Sequence, residues 1–211
     1  MCAGNLTLAR ADGLHLLCRA ALAELTADDR LRNFADGLIT QAILALPARY
    51  RDPLTLAEAL HHSDLAFHPL ITSLLVLDAE LTAVVDDETR LLPLPGFLSY
   101  RPQLPPTRFP LNTLRLPPLN SDGHYLCRTT ADHTAAVRLD LHPQQKVAGH
   151  VRIALGGADR LPQRLPAAEH RLNRQTLTER HIETSLAAAN PPLTTTEQNI
   201  LSEMLSSILA T

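Results

Sequence analysis

Prolines are concentrated in one stretch of this chain, and that stretch restricts the folds open to it more than any other feature. Eight of the 16 prolines in the 211-residue sequence lie within residues 93–118: Pro93, Pro95, Pro102, Pro105, Pro106, Pro110, Pro117 and Pro118. Because proline lacks a backbone N–H and fixes φ, we expect neither a regular helix nor a central strand there. The stretch predicts an ordered connector that carries one strand at 112–116 and separates a domain at 1–118 from one at 119–211.

Hydrophobic patterns before the connector predict short helices mixed with strands. Alternation of apolar and polar residues predicts strands at 5–10 and 90–92. Apolar residues at helical spacing predict helices at 14–25, 54–60 and 63–81. Ser63 or Asp64 can cap the last of these helices by accepting backbone N–H bonds. Residues 37–46 are apolar and fit either a strand or a helix.

The pattern changes after the connector. Three segments alternate at period two, at 123–129, 133–141 and 147–156, and they predict a three-stranded antiparallel sheet. Helices are expected at 166–173, 177–189 and 196–209, the last capped by Thr194 or Thr195. This order of elements predicts an α+β fold class with a small C-terminal domain.

Composition excludes several functions. A formal net charge of −3 and only 3% aromatic residues argue against a nucleic-acid partner. The longest apolar stretch, residues 70–77, is far shorter than the roughly 20 residues that span a bilayer, so no membrane insertion is expected. The three cysteines form no CxxC pair and no disulfide framework. We therefore expect a cytoplasmic protein.

Four side chains in one short segment are candidate metal ligands. His61, His62, Asp64 and His68 form the spacing HHxDxxxH, and imidazoles with a carboxylate can bind zinc or a redox metal. The spacing matches no established ligand motif, and the alternative is the start of a helix with a polar cap.

Two further features have a functional and a structural interpretation. Gly156-Gly157 can form a phosphate-binding nest, but a turn after a strand is the favoured interpretation. Cys18 and Cys127 would be reactive only if their thiolates were stabilised, so we expect buried structural cysteines.

An ordered set of motifs resembles one known family. RIALGG at 152–157, followed by Pro162, Arg164 and the pair Ala168-Glu169, looks like the C-terminal domain of the FAD-binding subunits of molybdenum hydroxylases, the xanthine dehydrogenase and carbon monoxide dehydrogenase family. SDLAFHPLITSLLVLDAEL at 63–81 is similar to the helix that follows the flavin-contacting loop in that family. The matches are collinear over roughly residues 30–190, most of a chain that suffices for two small domains.

The resemblance implies a fold and a set of partners. It implies a remnant of a PCMH-type FAD-binding domain, including the proline-rich connector, followed by a domain like the C-terminal one of the carbon monoxide dehydrogenase flavoprotein. In such enzymes electrons pass from iron–sulfur clusters through FAD to an acceptor. The implied partners are a molybdenum-cofactor subunit and a two-cluster iron–sulfur subunit. Asn33, Ser63 and Asp64 match flavin-loop positions, and Arg128 matches a contact from the C-terminal domain.

Departures from the family pattern predict a degraded flavin site. The family's second flavin loop reads roughly RN.ATIGGN.A; Arg32-Asn33-Phe34-Ala35 matches its start, but Leu38 and Ile39 occupy the glycine positions. Glycines there let backbone N–H groups approach a diphosphate and adopt positive φ, which a β-branched residue resists. Aliphatic side chains would also occupy the space of the phosphate oxygens. The family's glycine-rich first loop, similar to VGGGTDL, has no counterpart in this sequence.

Several hypotheses about function remain. The chain is either a divergent FAD subunit, and then at most an oxidoreductase subunit of xanthine dehydrogenase type, or a non-catalytic remnant kept for assembly. A third possibility is that the missing flavin loop is encoded elsewhere. Leucine-rich segments in residues 1–60 would expose apolar surface, which favours an obligate partner or self-association.

Overall fold

The computed structural model describes residues 6–85, 88–103, 109–120, 123–142 and 146–210. Its first sheet contains β1 (Thr7–Arg10), β2 (Gly13–Leu17), β3 (Glu80–Val85), β4 (Glu88–Pro93) and β5 (Leu111–Leu116). The helices of this part are α1 (Leu22–Thr26), α2 (Asp29–Asn33), α3 (Leu38–Leu44), α4 (Ala48–Arg51), α5 (Leu56–His61), α6 (His68–Val76) and α7 (Leu94–Tyr100). The order of the five antiparallel strands in the sheet is β1-β2-β5-β3-β4.

A second sheet and three helices complete the chain. The sheet contains β6 (Gly123–Thr129), β7 (His133–His142), β8 (Val147–Gly157) and β9 (Arg160–Arg164), in that order. The helices are α8 (Pro166–Leu172), α9 (Glu179–Ala187) and α10 (Thr195–Leu209). The mixture of antiparallel sheets with helices agrees with the predicted α+β class. None of the helices in the described residues is both long and apolar enough to cross a bilayer.

Helix α6 joins the two sheets. All nine of its residues are buried, and it packs between α3 and one face of the second sheet. Ala136 and Ala154, direct partners across β7 and β8, belong to the core on that face. Their neighbours Val137 and Ile153 point to the other face and form a second core with α8–α10. The second sheet is therefore covered on both sides, and the small alanines let α6 lie close to it.

The predicted helix at 14–25 is wrong at its start. Residues 13–17 form β2, which pairs with β1 and β5, and α1 begins only at Leu22. Leu14 and Leu16 are buried, whereas Gly13, His15 and Leu17 are only half-buried, which is the period-two pattern of a strand. The ambiguous segment 37–46 is a helix, α3.

The predicted helix at 63–81 is shorter than expected. A 3₁₀ turn at Leu65–Phe67 precedes α6, and β3 already begins at Glu80. Pro69 lies in the first turn of α6, where its missing N–H costs nothing, and Asp78 leaves the helix with φ of 52°. The predicted cap is also wrong for Asp64, whose backbone carbonyl accepts from Phe67 N while its side chain makes no capping bond.

The connector contains more regular structure than its prolines predict. The strand at 112–116 is confirmed as β5, but it lies at the centre of the first sheet, because residues 111–116 themselves contain no proline. A helix, α7, forms at Leu94–Tyr100 because Pro95 occupies its first turn. Pro105 and Pro106 lie outside the described residues.

The second sheet has four strands rather than the predicted three. The additional strand, β9, contains Pro162 and an exposed Leu161, so it lacks the usual alternation of a strand. It lies at the edge of the sheet and pairs only with β8, which is where a strand tolerates proline. The predicted cap of the last helix is confirmed: the Thr194 side chain accepts from Glu197 N, and the Glu197 side chain accepts from Thr194 N at 2.7 Å.

Candidate functional site

Asn33 ends α2 next to an unusual turn. Ala35, Asp36 and Gly37, which follow it closely, all have positive φ, at 52°, 53° and 73°. A Cβ on Gly37 would lie 3.0 Å from the carbonyl oxygen of Arg32, so this position needs glycine. The turn leads directly into α3, and the Asn33 side chain is exposed.

Leu38 and Ile39 follow that turn inside α3. Leu38 has φ of −48° and ψ of −47°, an ordinary helical backbone, and the positive φ values belong to the three residues before it. Both side chains are buried in the first core, at 2% and 1% exposure. We expected them to crowd a diphosphate on the surface; the structure places them in the core instead. The resemblance implies that they stand where the family has glycines, whose backbone phosphate oxygens could approach.

Ser63 and Asp64 lie in the loop before the 3₁₀ turn, and both are exposed. Asp64 has one ion-pair neighbour, the His62 ring at 3.9 Å. Ser63 lines a cavity of about 330 Å³ that is otherwise formed by Leu65, His68 and the turn between β8 and β9. Asn33, Asp64 and Arg128 are not part of its wall.

Arg128 faces away from the turn at residues 35–37. Along β6, Tyr125 and Cys127 pack against the first core, whereas Leu126 packs against the second. Arg128 lies on the same face of the sheet as Leu126, and its guanidinium forms an ion pair with Glu203 on α10. Tyr125 is on the other side; burial raises the pKa of its phenol, and the negative charge of Asp36 in the turn adds to that increase. The structure therefore places Arg128 and the turn on opposite faces of the second sheet.

The candidate metal ligands do not converge. His61 packs edge-on against Phe97 with ring centroids 5.2 Å apart, and His62 stacks on Phe67 at 4.7 Å. His68 is buried at the start of α6. Among the described residues no group of three or more His, Cys, Asp or Glu side chains could hold a metal ion. Two of the three imidazoles are thus occupied in aromatic packing.

Gly156 and Gly157 form the end of β8, which contacts the start of α6 at His68. A Cβ on Gly156 would lie 3.1 Å from His68 Nδ1, and one on Gly157 would lie 2.7 Å from the backbone oxygen of Asp132. The glycines therefore permit close packing of β8 against α6 and against the preceding hairpin. Neither ring nitrogen of His68 has a hydrogen-bond partner of ordinary length in the described structure, and burial lowers the pKa of this histidine.

The two cysteines that the structure describes are both shielded. Cys18 is fully buried, and burial raises the pKa of its thiol to about 12. Burial likewise raises the pKa of Cys127, although hydroxyls of Ser73, Thr72 and Thr129 lower it in part. A thiol that stays protonated is a poor nucleophile. Both cysteines thus have the structural character that we predicted.

Charged residues of the matched motifs meet in one network, the Asp78 network, formed by Asp78, His150, Arg152, Arg164 and Glu169. Asp78 accepts from Arg152 Nε at 2.9 Å, from Arg164 Nη1 at 2.7 Å and from the His150 ring at 3.3 Å. Arg164 also pairs with Glu169, which is buried and accepts from Ile153 N at 3.0 Å. The network ties the end of α6 to β8, β9 and α8. The acidic partner of Arg152 is thus Asp78, which lies just after α6.

Mutation of Arg128 tests its placement on the α10 side of the second sheet, where it pairs with Glu203. We expect Arg128→Gln to change the free energy of unfolding by less than about 1 kcal/mol, because its pair with Glu203 is exposed to water. Glu203→Gln should give the same small change, and the double variant should add nothing beyond one of them. Urea denaturation of the three variants measures this. An effect of Arg128→Gln that persists fully in the Glu203→Gln background would show that Arg128 has another partner.

Several solved structures have a similar fold. A carbon monoxide dehydrogenase from Hydrogenophaga pseudoflava that lacks the Mo-pyranopterin moiety of its molybdenum cofactor aligns over 94% of this chain and 72% of its own, with a TM-score of 0.73 at 14% identity. Reconstituted carbon monoxide dehydrogenase from Oligotropha carboxidovorans covers 98% of this chain and 76% of its own, with a TM-score of 0.70 at 15% identity. Quinoline 2-oxidoreductase from Pseudomonas putida 86 covers 96% and 74%, with a TM-score of 0.69 at 17% identity.

These matches confirm the predicted resemblance at the level of the fold. The chain has a fold like that of the FAD-binding subunit of molybdenum hydroxylases. No protein-family model matches the sequence, and no curated protein matches it. The similarity is therefore one of fold, at 14–17% sequence identity.

Proposed function

We propose that this chain is a flavoprotein-subunit-like component of a molybdenum hydroxylase of xanthine dehydrogenase type, with a flavin site that is degraded. In this proposal the chain keeps the fold in order to assemble with a molybdenum-cofactor subunit and a two-cluster iron–sulfur subunit in the cytoplasm. The fold comparison supports the class of complex, and the positions of the candidate flavin residues support the loss of the site.

The observation that carries the proposal is the separation of the four candidate flavin contacts. FAD is a long dinucleotide, so residues that bind it must line one continuous cleft. Arg128 pairs with Glu203 on the face of the second sheet opposite the turn that follows Asn33. The wall of the cavity beside Ser63 includes none of the other three candidates. The residues present therefore do not fit the cofactor as one site.

A second candidate function is a retained flavin subunit that passes electrons to an acceptor. One observation favours it: Ala35, Asp36 and Gly37 hold a left-handed backbone directly before α3, although two of them are not glycine. Such a backbone is strained and is often kept at binding sites. In this alternative Asn33, Ser63 and Asp64 would contribute the contacts, and Arg128 would not.

Flavin binding separates the two candidates. We expect the purified chain, incubated with FAD and then dialysed against buffer without FAD, to retain no absorbance at about 450 nm, because only bound cofactor stays with the protein. Equilibrium dialysis at rising FAD concentrations should show no saturation. Stoichiometric, saturable retention that is weakened by Asn33→Ala would overturn the degraded site and support the alternative.

Assembly is tested independently of flavin. We expect the chain to form a stable complex with a molybdenum-cofactor subunit and a two-cluster iron–sulfur subunit when all three are co-expressed, and size-exclusion chromatography measures this. The complex should form equally well with or without added FAD. A chain that stays separate from both subunits, or that only self-associates, would contradict the assembly role.

A further inference from the structure

The proposed function leaves a cavity beside α7 unused. This hairpin cavity, of about 600 Å³, lies between α7, the end of α6 at Leu75 and the residues Asp159–Arg164 of the β8–β9 hairpin. Pro191 closes it from the other side. Sites for small molecules commonly enclose about 300–1,000 Å³, so its volume suits a small organic ligand.

The walls of the hairpin cavity combine apolar and basic side chains. Leu75, Leu98 and Leu161 supply apolar surface, and Leu161 is 61% exposed at the mouth. Arg101, Arg160 and Arg164 supply three guanidinium groups. Two of these are already neutralised. Arg164 pairs with Asp78 and Glu169, and Arg160 Nε lies 3.5 Å from a Glu197 carboxylate oxygen.

Arg101 has no such partner. Its Nη1 donates to the backbone oxygens of Leu60 at 3.2 Å and His62 at 2.6 Å, and among the described residues no carboxylate lies within 4.0 Å of it. The side chain is half-buried, and burial lowers the pKa of its guanidinium. Asp159, the acid in the cavity wall, is exposed and therefore well solvated. A partly desolvated cation beside apolar side chains favours an anion that brings its own apolar body.

We propose that the hairpin cavity binds a small organic anion, a carboxylate or phosphate group on an apolar body, with Arg101 as the anion-binding residue and Leu98 and Leu161 packing against the body. None of the four candidate flavin positions lines this cavity, although it shares Asp159, Arg160 and Leu161 with the cavity beside Ser63. The proposal holds whether or not the chain binds FAD.

Aromatic anions are suitable probes, since the natural ligand is unidentified. Isothermal titration of the purified full chain should show saturable binding of benzoate or phenyl phosphate. Benzyl alcohol, which lacks the charge, and acetate or inorganic phosphate, which lack the body, should bind at least about tenfold more weakly, because each loses one of the two interactions. A preference between benzoate and phenyl phosphate identifies the charged group. Absence of binding by both, or equal binding of the bare ions, overturns the proposal.

Two variants assign the binding to this cavity. Arg101→Gln should weaken benzoate or phenyl phosphate binding by about tenfold or more, since it removes a charge-assisted contact. Because Arg101 also holds two backbone carbonyls, Leu161→Glu provides a second test: it adds a negative charge at the mouth through an exposed position and should weaken binding similarly. Arg180→Gln on α9 and Leu44→Glu on α3 are the matched controls, both exposed and outside the cavity. Unchanged affinity in both Arg101→Gln and Leu161→Glu overturns the assignment.

Discussion

Asp78→Asn is expected to lower the free energy of unfolding by about 2 kcal/mol at neutral pH, since it removes the anion from a partly buried network of cations. Arg152, Arg164 and His150 all direct nitrogen atoms at the Asp78 carboxylate, at distances of 2.9, 2.7 and 3.3 Å. Only Arg164 has a second carboxylate, on Glu169. The other two groups would be left without an acidic partner among the described residues.

Asparagine is the informative replacement because of the backbone at this position. Asp78 has φ of 52°, in the left-handed region, and asparagine tolerates that region better than alanine does. Asp78→Asn therefore isolates the loss of charge, whereas Asp78→Ala adds backbone strain. We expect Asp78→Ala to be the more destabilising of the two by about 1 kcal/mol.

The effect should disappear in acid, and its sign follows from the pKa of Asp78. Burial alone would raise this pKa, but hydrogen bonds from His150 and Arg152 and the charges of Arg164 and Arg152 outweigh it and lower the pKa to about 2. A carboxylate with a depressed pKa stabilises the fold above its unfolded value of 3.8, and that contribution is lost as pH falls toward 2. The difference between the wild type and Asp78→Asn should therefore shrink as the pH falls from about 4 toward 2.

Urea denaturation at several pH values measures this difference. Asp52→Asn is the matched control, because Asp52 pairs with its neighbour Arg51 at an exposed site, and it should change stability by less than about 0.5 kcal/mol. If Asp78→Asn were no more destabilising than Asp52→Asn at pH 7, the Asp78 network would not stabilise the attachment of α6 to the second sheet. A difference that grew as the pH fell from about 4 toward 2 would contradict the depressed pKa.

The Asp78 network also explains why the sequence motifs predicted the fold. Asp78, Arg152, Arg164 and Glu169 all belong to the motifs that carry the family resemblance, although they are spread over more than ninety residues. In the structure they contact one another, so one structural requirement accounts for several matches. The motifs thus predicted the fold, which the comparisons confirm, because they mark how α6 is attached to the second sheet. They say nothing comparable about a cofactor.

Local patterns were sufficient where one face of an element is buried and one is not. Strands β6, β7 and β8 and helices α8 to α10 were predicted close to their observed bounds. Sequence patterns gave wrong or missing elements where tertiary contacts determine the secondary structure. The segment 14–25 has apolar residues at both helical and alternating spacing, and pairing with β5 selects the strand. Strand β9 pairs in the sheet with β8 alone and is held by contacts with α6 and α8, so its own sequence carries little signal.

The candidate site was harder to predict than the fold for a physical reason. Alternation along β6 predicts that Arg128 and Tyr125 point to opposite sides, but the sequence cannot say which layer covers each side. That depends on α6 and α10, which pack on opposite faces of the second sheet. Arg101 was not predicted, because its place in a cavity depends on residues 159–164, which are distant in sequence and form the opposite wall.

The second large effect is expected from restoring glycine at the family's glycine positions. Leu38→Gly/Ile39→Gly should lower the free energy of unfolding by more than about 5 kcal/mol. Each substitution empties a buried position and places glycine in a helix, with typical costs of about 2–5 and about 1 kcal/mol. Because a whole domain is stable by only about 5–15 kcal/mol, much of the first core should unfold. Urea denaturation and circular dichroism measure this loss.

Leu44→Gly is the matched control within the same helix. Leu44 is 53% exposed, so its replacement should cost little more than the helix propensity of glycine, about 1 kcal/mol. If the double glycine variant were no less stable than Leu44→Gly, the side chains of Leu38 and Ile39 could not be core residues.

The same double variant distinguishes two explanations for the degraded flavin site. If the two aliphatic residues alone prevented binding, the glycine backbone would restore affinity for FAD, and equilibrium dialysis would detect it even in a destabilised chain, since bound ligand stabilises the folded state. We expect no such gain, because Arg128 remains paired with Glu203 on the opposite face of the second sheet and Ser63 remains in a separate cavity. Recovery of FAD binding would place the defect at residues 38 and 39 and would mean that the dispersed residues are not required.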